Sequence, residues 1–129
     1  MSRVLDPPDP AAWRRRGEWF WKAHDVNAGP AALTLDARAE NLVAELELAF
    51  CAGAWATTVL VAWALVEGVE RVRGAGGSDT PPSPEIDGLR ARRNALAHGG
   101  EPPDDETLES WAQGAVRTTF HALHVAAWR

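Results

Sequence analysis

From Leu48 to Val66 the chain reads LAFCAGAWATTVLVAWALV, a run with no charged residue, and any fold it adopts must take that run out of water. Two environments accept such a segment, a bilayer, which needs about 18 or more apolar residues, and the interior of a protein. Alanine, threonine and Gly53 dilute the hydrophobicity here, and the flanks are Glu47 and Glu67 rather than the basic residues that anchor a span. The run is therefore expected to lie in the middle of a helical bundle. Gly53 marks a break or kink within it, so that one helix ends there and the next runs from about Ala54 to Arg73.

Elsewhere apolar residues recur at intervals of three and four, and no strand-like alternation of any length occurs, so the chain reads as all-α. Asp9-Pro10 is a cap followed by a proline at the first helical position. It predicts a first helix to about His24, with Trp13, Phe20 and Trp21 on one side and VNAGP as its end. Asp36 starts the second, whose buried stripe is Ala39, Leu42, Val43, Leu46 and Phe50. GAGGSDTPPSP, residues 74–84, has the composition of a flexible loop. A fourth helix is expected from Pro84 to His98, stopped by Gly99-Gly100. Asp104 or Asp105 caps the last helix, where Leu108, Trp111, Ala112, Ala115, Val116, Thr119, Phe120, Leu123 and Ala127 keep helical spacing. With 129 residues, 46% of them hydrophobic, the chain has material for one core. The expectation is a single domain over 1–129, a four- to five-helix bundle with residues 1–34 as the N-terminal helix and connection.

A net charge of −5 argues against a broad basic surface that grips long nucleic acid, because such affinity comes from neutralising phosphates. A local anion site is compatible with it. Cys51 is the single cysteine and has no internal disulfide partner, and no basic segment followed by an apolar core opens the sequence. A cytoplasmic setting, away from any membrane, is the expectation.

The densest positive charge lies in GLRARRNALAHGG, residues 88–100. Ile86, Leu89 and Leu96 form the apolar stripe of that helix, and Arg93 falls between them. An ion pair with Glu67 or Glu70 on the preceding helix would account for a core-facing arginine, since a buried charge must be paired. Asn94 and His98 are four apart with Arg90 beside them, and a histidine at a helix C-terminus is favoured by the dipole alone. Neither reading explains the grouping. A permanent cation, an amide and an imidazole beside a loop are the parts needed to handle a phosphodiester: arginine neutralises oxygens bidentately, histidine moves protons and asparagine orients.

RNALAH, Arg93 to His98, resembles the signature of the HEPN superfamily (higher eukaryotes and prokaryotes nucleotide-binding), an arginine followed after four to six residues by a histidine, often with a polar residue directly after the arginine. GAWATTVLVAWALVEGVER resembles the central helix of these domains, and the likeness extends from about Asp36 to the C-terminus. The resemblance implies a helical bundle that dimerises with two motifs facing one cleft, and, in active members, an endoribonuclease of toxin or defence systems that uses neither metal nor cofactor. It implies His98 as acid and base, Arg93 as the stabiliser of the phosphorane and Asn94 as the orienting group, with Arg90 and Arg92 available to bind RNA. It also implies a second copy of the chain as partner, together with RNA or a nucleotide, and an antitoxin or other protein as a further candidate. One toxin subgroup carries a tyrosine two residues after the histidine. Gly100 stands there in this chain, which contains no tyrosine. A catalytically inactive homodimeric module that binds RNA, nucleotide or protein is the alternative that the resemblance leaves open.

Other groupings are weaker. His24-Asp25 lacks the further ligands of a metal-dependent phosphohydrolase, and His121 and His124 lack a third ligand nearby, so no metal site is expected. Trp55, Trp63 and Trp111 are expected in the core, and Trp13, Trp19 and Trp21 at the surface. Arg14 to Arg16 would extend an anion surface or form a solvated face. A Trp-lined pocket at Trp13, Trp21 or Trp55 would suit a small apolar ligand.

Overall fold

The computed structural model describes residues 9–28, 35–75 and 83–127. Five helices account for nearly all of them: α1 (Pro10–Ala28), α2 (Ala37–Cys51), α3 (Trp55–Ala75), α4 (Pro84–Ala97) and α5 (Asp105–Ala127). No strand occurs among the described residues. The expected loop at 74–84 lies mostly outside them, and so does the connection after α1. Helix α1 runs to Ala28 rather than stopping near His24. Val26, Asn27 and Ala28 carry no helix stop, and the Asn27 side-chain amide folds back onto the helix, donating to the Ala23 carbonyl at 2.7 Å.

The caps follow the sequence closely. Asp9 accepts from the Ala11 and Ala12 amides, Asp36 from Ala39 and Ser83 from Ile86, each satisfying first-turn donors. Of the two candidates for α5 it is Asp104 that caps, accepting the Thr107 amide at 2.7 Å. Gly99 (φ 72°) follows the α4 cap residue His98 in the left-handed region that glycine adopts cheaply.

The uncharged run is divided where Gly53 predicts it. Gly53 has φ 74°, its amide bonds the Phe50 carbonyl, and the Ala54 amide bonds the Ala49 carbonyl, the paired bonds of a Schellman stop. Leu48 to Cys51 thus close α2 while the rest opens α3. Among the described residues no helix is long and apolar enough to cross a membrane.

Helix α3 is the centre of the bundle, packed most extensively on α5 and also on α2 and α4, while α1 lies against α2 and α5. Small buried residues, Ala62 on α3 and Ala112 and Ala115 on α5, let the central pair approach closely. Thr58 and Thr119 are fully buried in the same region. Each hydroxyl returns to the carbonyl four residues earlier, at 2.9 and 2.8 Å, so neither is left unsatisfied. All five helices supply the core, in which Phe20, Phe50 and Phe120 meet with ring centroids 5.1 to 6.1 Å apart. Truncating one of these phenylalanines to alanine costs about 3–5 kcal/mol. On α1 it is Phe20, with Ala12 and Ala23, that faces inward, whereas Trp13 and Trp21 stay 39% and 44% exposed. The expectation that all three aromatics share one side is corrected accordingly.

Two predictions follow from the turns. A Cβ at Gly53 would stand 3.0 Å from Arg16 Nη1 on a backbone that side chains rarely adopt. Gly53→Ala should therefore lower unfolding stability by about 1–2 kcal/mol in urea titration, and an unchanged midpoint would contradict this. Asp104 is held below its ordinary carboxylate pKa, first by the Thr107 amide and then by the Thr107 hydroxyl. A depressed folded pKa gives stability that is fully present above the unfolded value of about 4 and is lost as pH falls through the folded one. Asp104→Asn keeps an acceptor at the cap without the titration. It should melt slightly below the parent at neutral pH and lose less melting temperature in acid, so that the two curves converge, measured by circular dichroism.

Candidate functional site

Only Ile86 and Leu89 of α4 are buried, and they fix which way the helix faces. Leu96 and Arg93 follow on the same side, half-buried, as the spacing predicts. The expected ion pair with Glu67 does not form: that carboxylate takes the Arg71 guanidinium at 2.9 Å and the Trp63 indole at 3.1 Å. Arg93 Nη1 instead donates to Asn94 Oδ1 at 2.7 Å. Because guanidinium only donates, the amide must present its oxygen to Arg93, which leaves Asn94 Nδ2 as a donor for something else. Among the described residues no carboxylate lies within ion-pair distance of Arg93. Its charge is oriented by a neutral group and, among the described residues, meets no carboxylate in an ion pair.

His98 is exposed at the end of α4. Its amide keeps the helical bond to the Asn94 carbonyl at 3.0 Å, with φ −92° and ψ 6°. The last turn therefore does not unwind, and five residues at about 100° each place Arg93 and His98 roughly 140° apart around the axis. Asn94 and His98 share a face; Arg93 reaches that face through its bond to the amide. The three groups are gathered at one helix end without closing on a common point within a single chain.

The flanking arginines are partly engaged. Arg90 lies over the Trp63 ring at 5.4 Å and 3.6 Å from Asp87, and Arg92 lies over Trp111 at 5.4 Å. Gly114 makes the second arrangement fit, since a Cβ there would stand 3.3 Å from Arg92 Nη1. Beside Arg92 an open groove of about 350 Å³ runs between α4 and α5, lined by Glu85, Gly88, Leu89, Gly114 and Thr118 among others. Both arginines are exposed residues, each with its guanidinium carbon over an indole ring.

The same pairing recurs where the sequence does not announce it. Arg16 lies over Trp55 at 4.9 Å and donates to the Cys51 carbonyl at 3.1 Å; Arg117 lies over Trp19 at 5.0 Å. Arg16 is thus a structural residue rather than part of an anion surface. Trp19, expected at the surface, is half-buried and stacked on Phe50 at 4.9 Å. These partners are distant in the chain and carry no local signal. Trp63 is buried and Trp55 and Trp111 are half-buried, in line with packing.

His24 bonds Asp25 at 3.0 Å and lays its ring edgewise on Phe120, a packing position. His121 is exposed and His124 half-buried on α5. Among the described residues no three His, Cys, Asp or Glu side chains gather as a metal ion would require. The Cys51 thiol is pushed up in pKa by burial and then by Glu47, with Arg16 opposing, which keeps it a thiol rather than a nucleophilic thiolate.

No protein-family model matches this chain, and no curated protein or solved structure matches it either.

Proposed function

We propose that the chain acts on RNA as a two-fold dimer of the HEPN type, with Arg93, Asn94 and His98 of each copy lining a shared cleft. The observation that carries this reading is the Arg93 guanidinium, half-buried, oriented by Asn94 at 2.7 Å and uncompensated by any carboxylate among the described residues. An arginine that only held the bundle together would be expected to meet an acid, because leaving a partly buried charge unpaired is costly. A phosphate supplies the missing counter-charge.

Geometry also supports the two-fold. Arg93 and His98 project from different sides of α4, and one imidazole cannot conveniently take and give a proton in one step. A second copy across a two-fold axis supplies the complementary group. In this scheme the ribose 2′-hydroxyl attacks the adjacent phosphorus, and one His98 accepts its proton. The bond from phosphorus to the 5′-oxygen breaks, His98 of the second copy protonates that oxygen, and a 2′,3′-cyclic phosphate remains. Arg93 stabilises the charge on the phosphorane oxygens, and the Asn94 amide fixes Arg93 toward them. Arg90 and Arg92, exposed beside the motif, bind neighbouring phosphates in this scheme. A toxin or defence role would follow from such an activity.

A second reading keeps the dimer and the ligand without the cut. It is favoured by the engagement of Arg90 and Arg92 on Trp63 and Trp111 and by the net charge of −5, both of which limit the grip on a long strand.

Cleavage of a labelled single-stranded RNA in EDTA decides between them. The nuclease reading expects cyclic-phosphate products and a fall of about 100-fold or more in rate for His98→Ala. Its melting temperature should be unchanged, since His98 is exposed. Full activity in that variant overturns the catalytic assignment. Saturable RNA binding by a dimer without products selects the second reading, and a monomer in sedimentation at working concentration overturns both.

A further inference from the structure

The six tryptophans with described positions divide into two kinds. Trp19, Trp55, Trp63 and Trp111 each lie under an arginine guanidinium, at 4.9 to 5.4 Å from the ring centroid. Trp13 and Trp21 have no such cover among the described residues, and they are the two exposed ones, at 39% and 44%.

Trp13, Gly17 and Trp21 are four residues apart on α1, so they share a face, with the two indoles about 12 Å apart along the axis. Between them Gly17 has no side chain, and the position its Cβ would take is 3.7 Å from Cys51 Sγ on α2. The result is a groove of about 460 Å³ between α1 and α2, walled by the two indoles, floored by Gly17 and Cys51, and edged by exposed Leu48. Its ionisable lining is Glu18 and Glu47 against Arg14, an excess of one carboxylate, apart from the Cys51 thiol. The Trp21 indole donates to Glu47 Oε2, which holds that carboxylate against the wall.

We infer that this groove binds an arginine side chain from a basic segment of a partner protein, whose guanidinium stacks on Trp13 or Trp21 and pairs with Glu18 and Glu47. Indole faces attract guanidinium, and the chain itself makes that contact at its other described tryptophans. The two carboxylates give charge complementarity. They also disfavour a nucleic acid strand on these indoles, because its phosphates would be brought against Glu18 and Glu47. Leu48 and the indole edges accept the aliphatic stem of the side chain. The groove shares no lining residue with α4, and the inference is independent of the RNA reading.

The test is a titration of the full chain with a capped Arg-Gly-Arg peptide, followed through the indole N–H resonances and assigned by single tryptophan substitutions. The Trp13 and Trp21 signals should shift saturably while those of the four covered tryptophans stay in place. The same peptide with neutral citrulline in place of arginine should bind at least about tenfold more weakly. Trp13→Ala and Glu18→Gln, both at exposed positions, should each weaken binding severalfold without changing the melting temperature, and added salt should weaken it further. Equal binding of the citrulline peptide, or no shift of the indole pair up to millimolar peptide, overturns the inference. So does tighter capture of a short RNA by the same two indoles, or dissociation of a dimer by Trp13→Ala, which would assign the groove to a second copy.

Discussion

The bundle depends on the corner between α2 and α3, because that corner decides how an uncharged run of the chain can leave water without leaving the protein. Gly53 turns the backbone through the left-handed region, and Arg16 of α1 closes over it, donating to the last α2 carbonyl and stacking on Trp55 at the start of α3. A cation there meets the negative end of the α2 dipole, and its plane meets an aromatic face. One side chain thereby ties three helices together. It also fixes the direction in which α3 departs, and with it the seam of small residues where α5 must pack.

Arginine over tryptophan is the recurring joint of this molecule. Significant cation–π contacts occur about once per 70–80 residues, and the four among the described residues are above that frequency. The pairs link α1 to α3, α4 to α3, α4 to α5 and α5 to α1, so they brace interfaces at the edge of the core where apolar packing thins. Glycine takes part by leaving room. A Cβ at Gly53, Gly68 or Gly114 would stand 3.0 to 3.3 Å from a guanidinium nitrogen of Arg16, Arg38 or Arg92. The high tryptophan content is in this sense structural, and it makes the two indoles left without cover stand apart.

Much of this arrangement was legible in the sequence because it is governed by neighbours in the chain. Caps at Asp9, at Asp36 and at one of Asp104 and Asp105, stops at Gly53 and Gly99, and the inward stripe of α5 all follow from local chemistry. The end of α1 near His24 is not legible, because Val26, Asn27 and Ala28 carry no stop and the helix continues through them, and of Trp13, Phe20 and Trp21 only Phe20 turns inward. What could not be read were contacts across the bundle. The pairing of Arg16 with Trp55, and of Arg117 with Trp19, joins residues with no common local pattern. At the candidate site the composition was legible, and so was the angular gap between Arg93 and His98. The partner of Arg93 was not: an acid on α3 was the reasonable expectation, and an adjacent asparagine took its place.

That substitution of partner changes what α4 can do. An arginine bonded to a carboxylate is neutralised and has little left to offer a ligand, whereas one bonded to an amide is oriented at full charge. The amide oxygen accepts from Arg93, which leaves Asn94 Nδ2 as a second donor on a residue that shares its helix face with His98, four residues on. Donors and imidazole then line one edge of a helix that buries only Ile86 and Leu89. Beyond Pro84, Glu85 and Asp87 of its first turn, α4 exposes Gly88, Ala91, Ala95 and Ala97 beside Arg90 and Arg92. A helix so lightly rooted, with small residues on its open side, permits close approach of another backbone. Such an approach brings Arg93 of one copy and an imidazole of the other over one phosphate, whereas the intact last turn sets the two residues roughly 140° apart around the axis of a single chain.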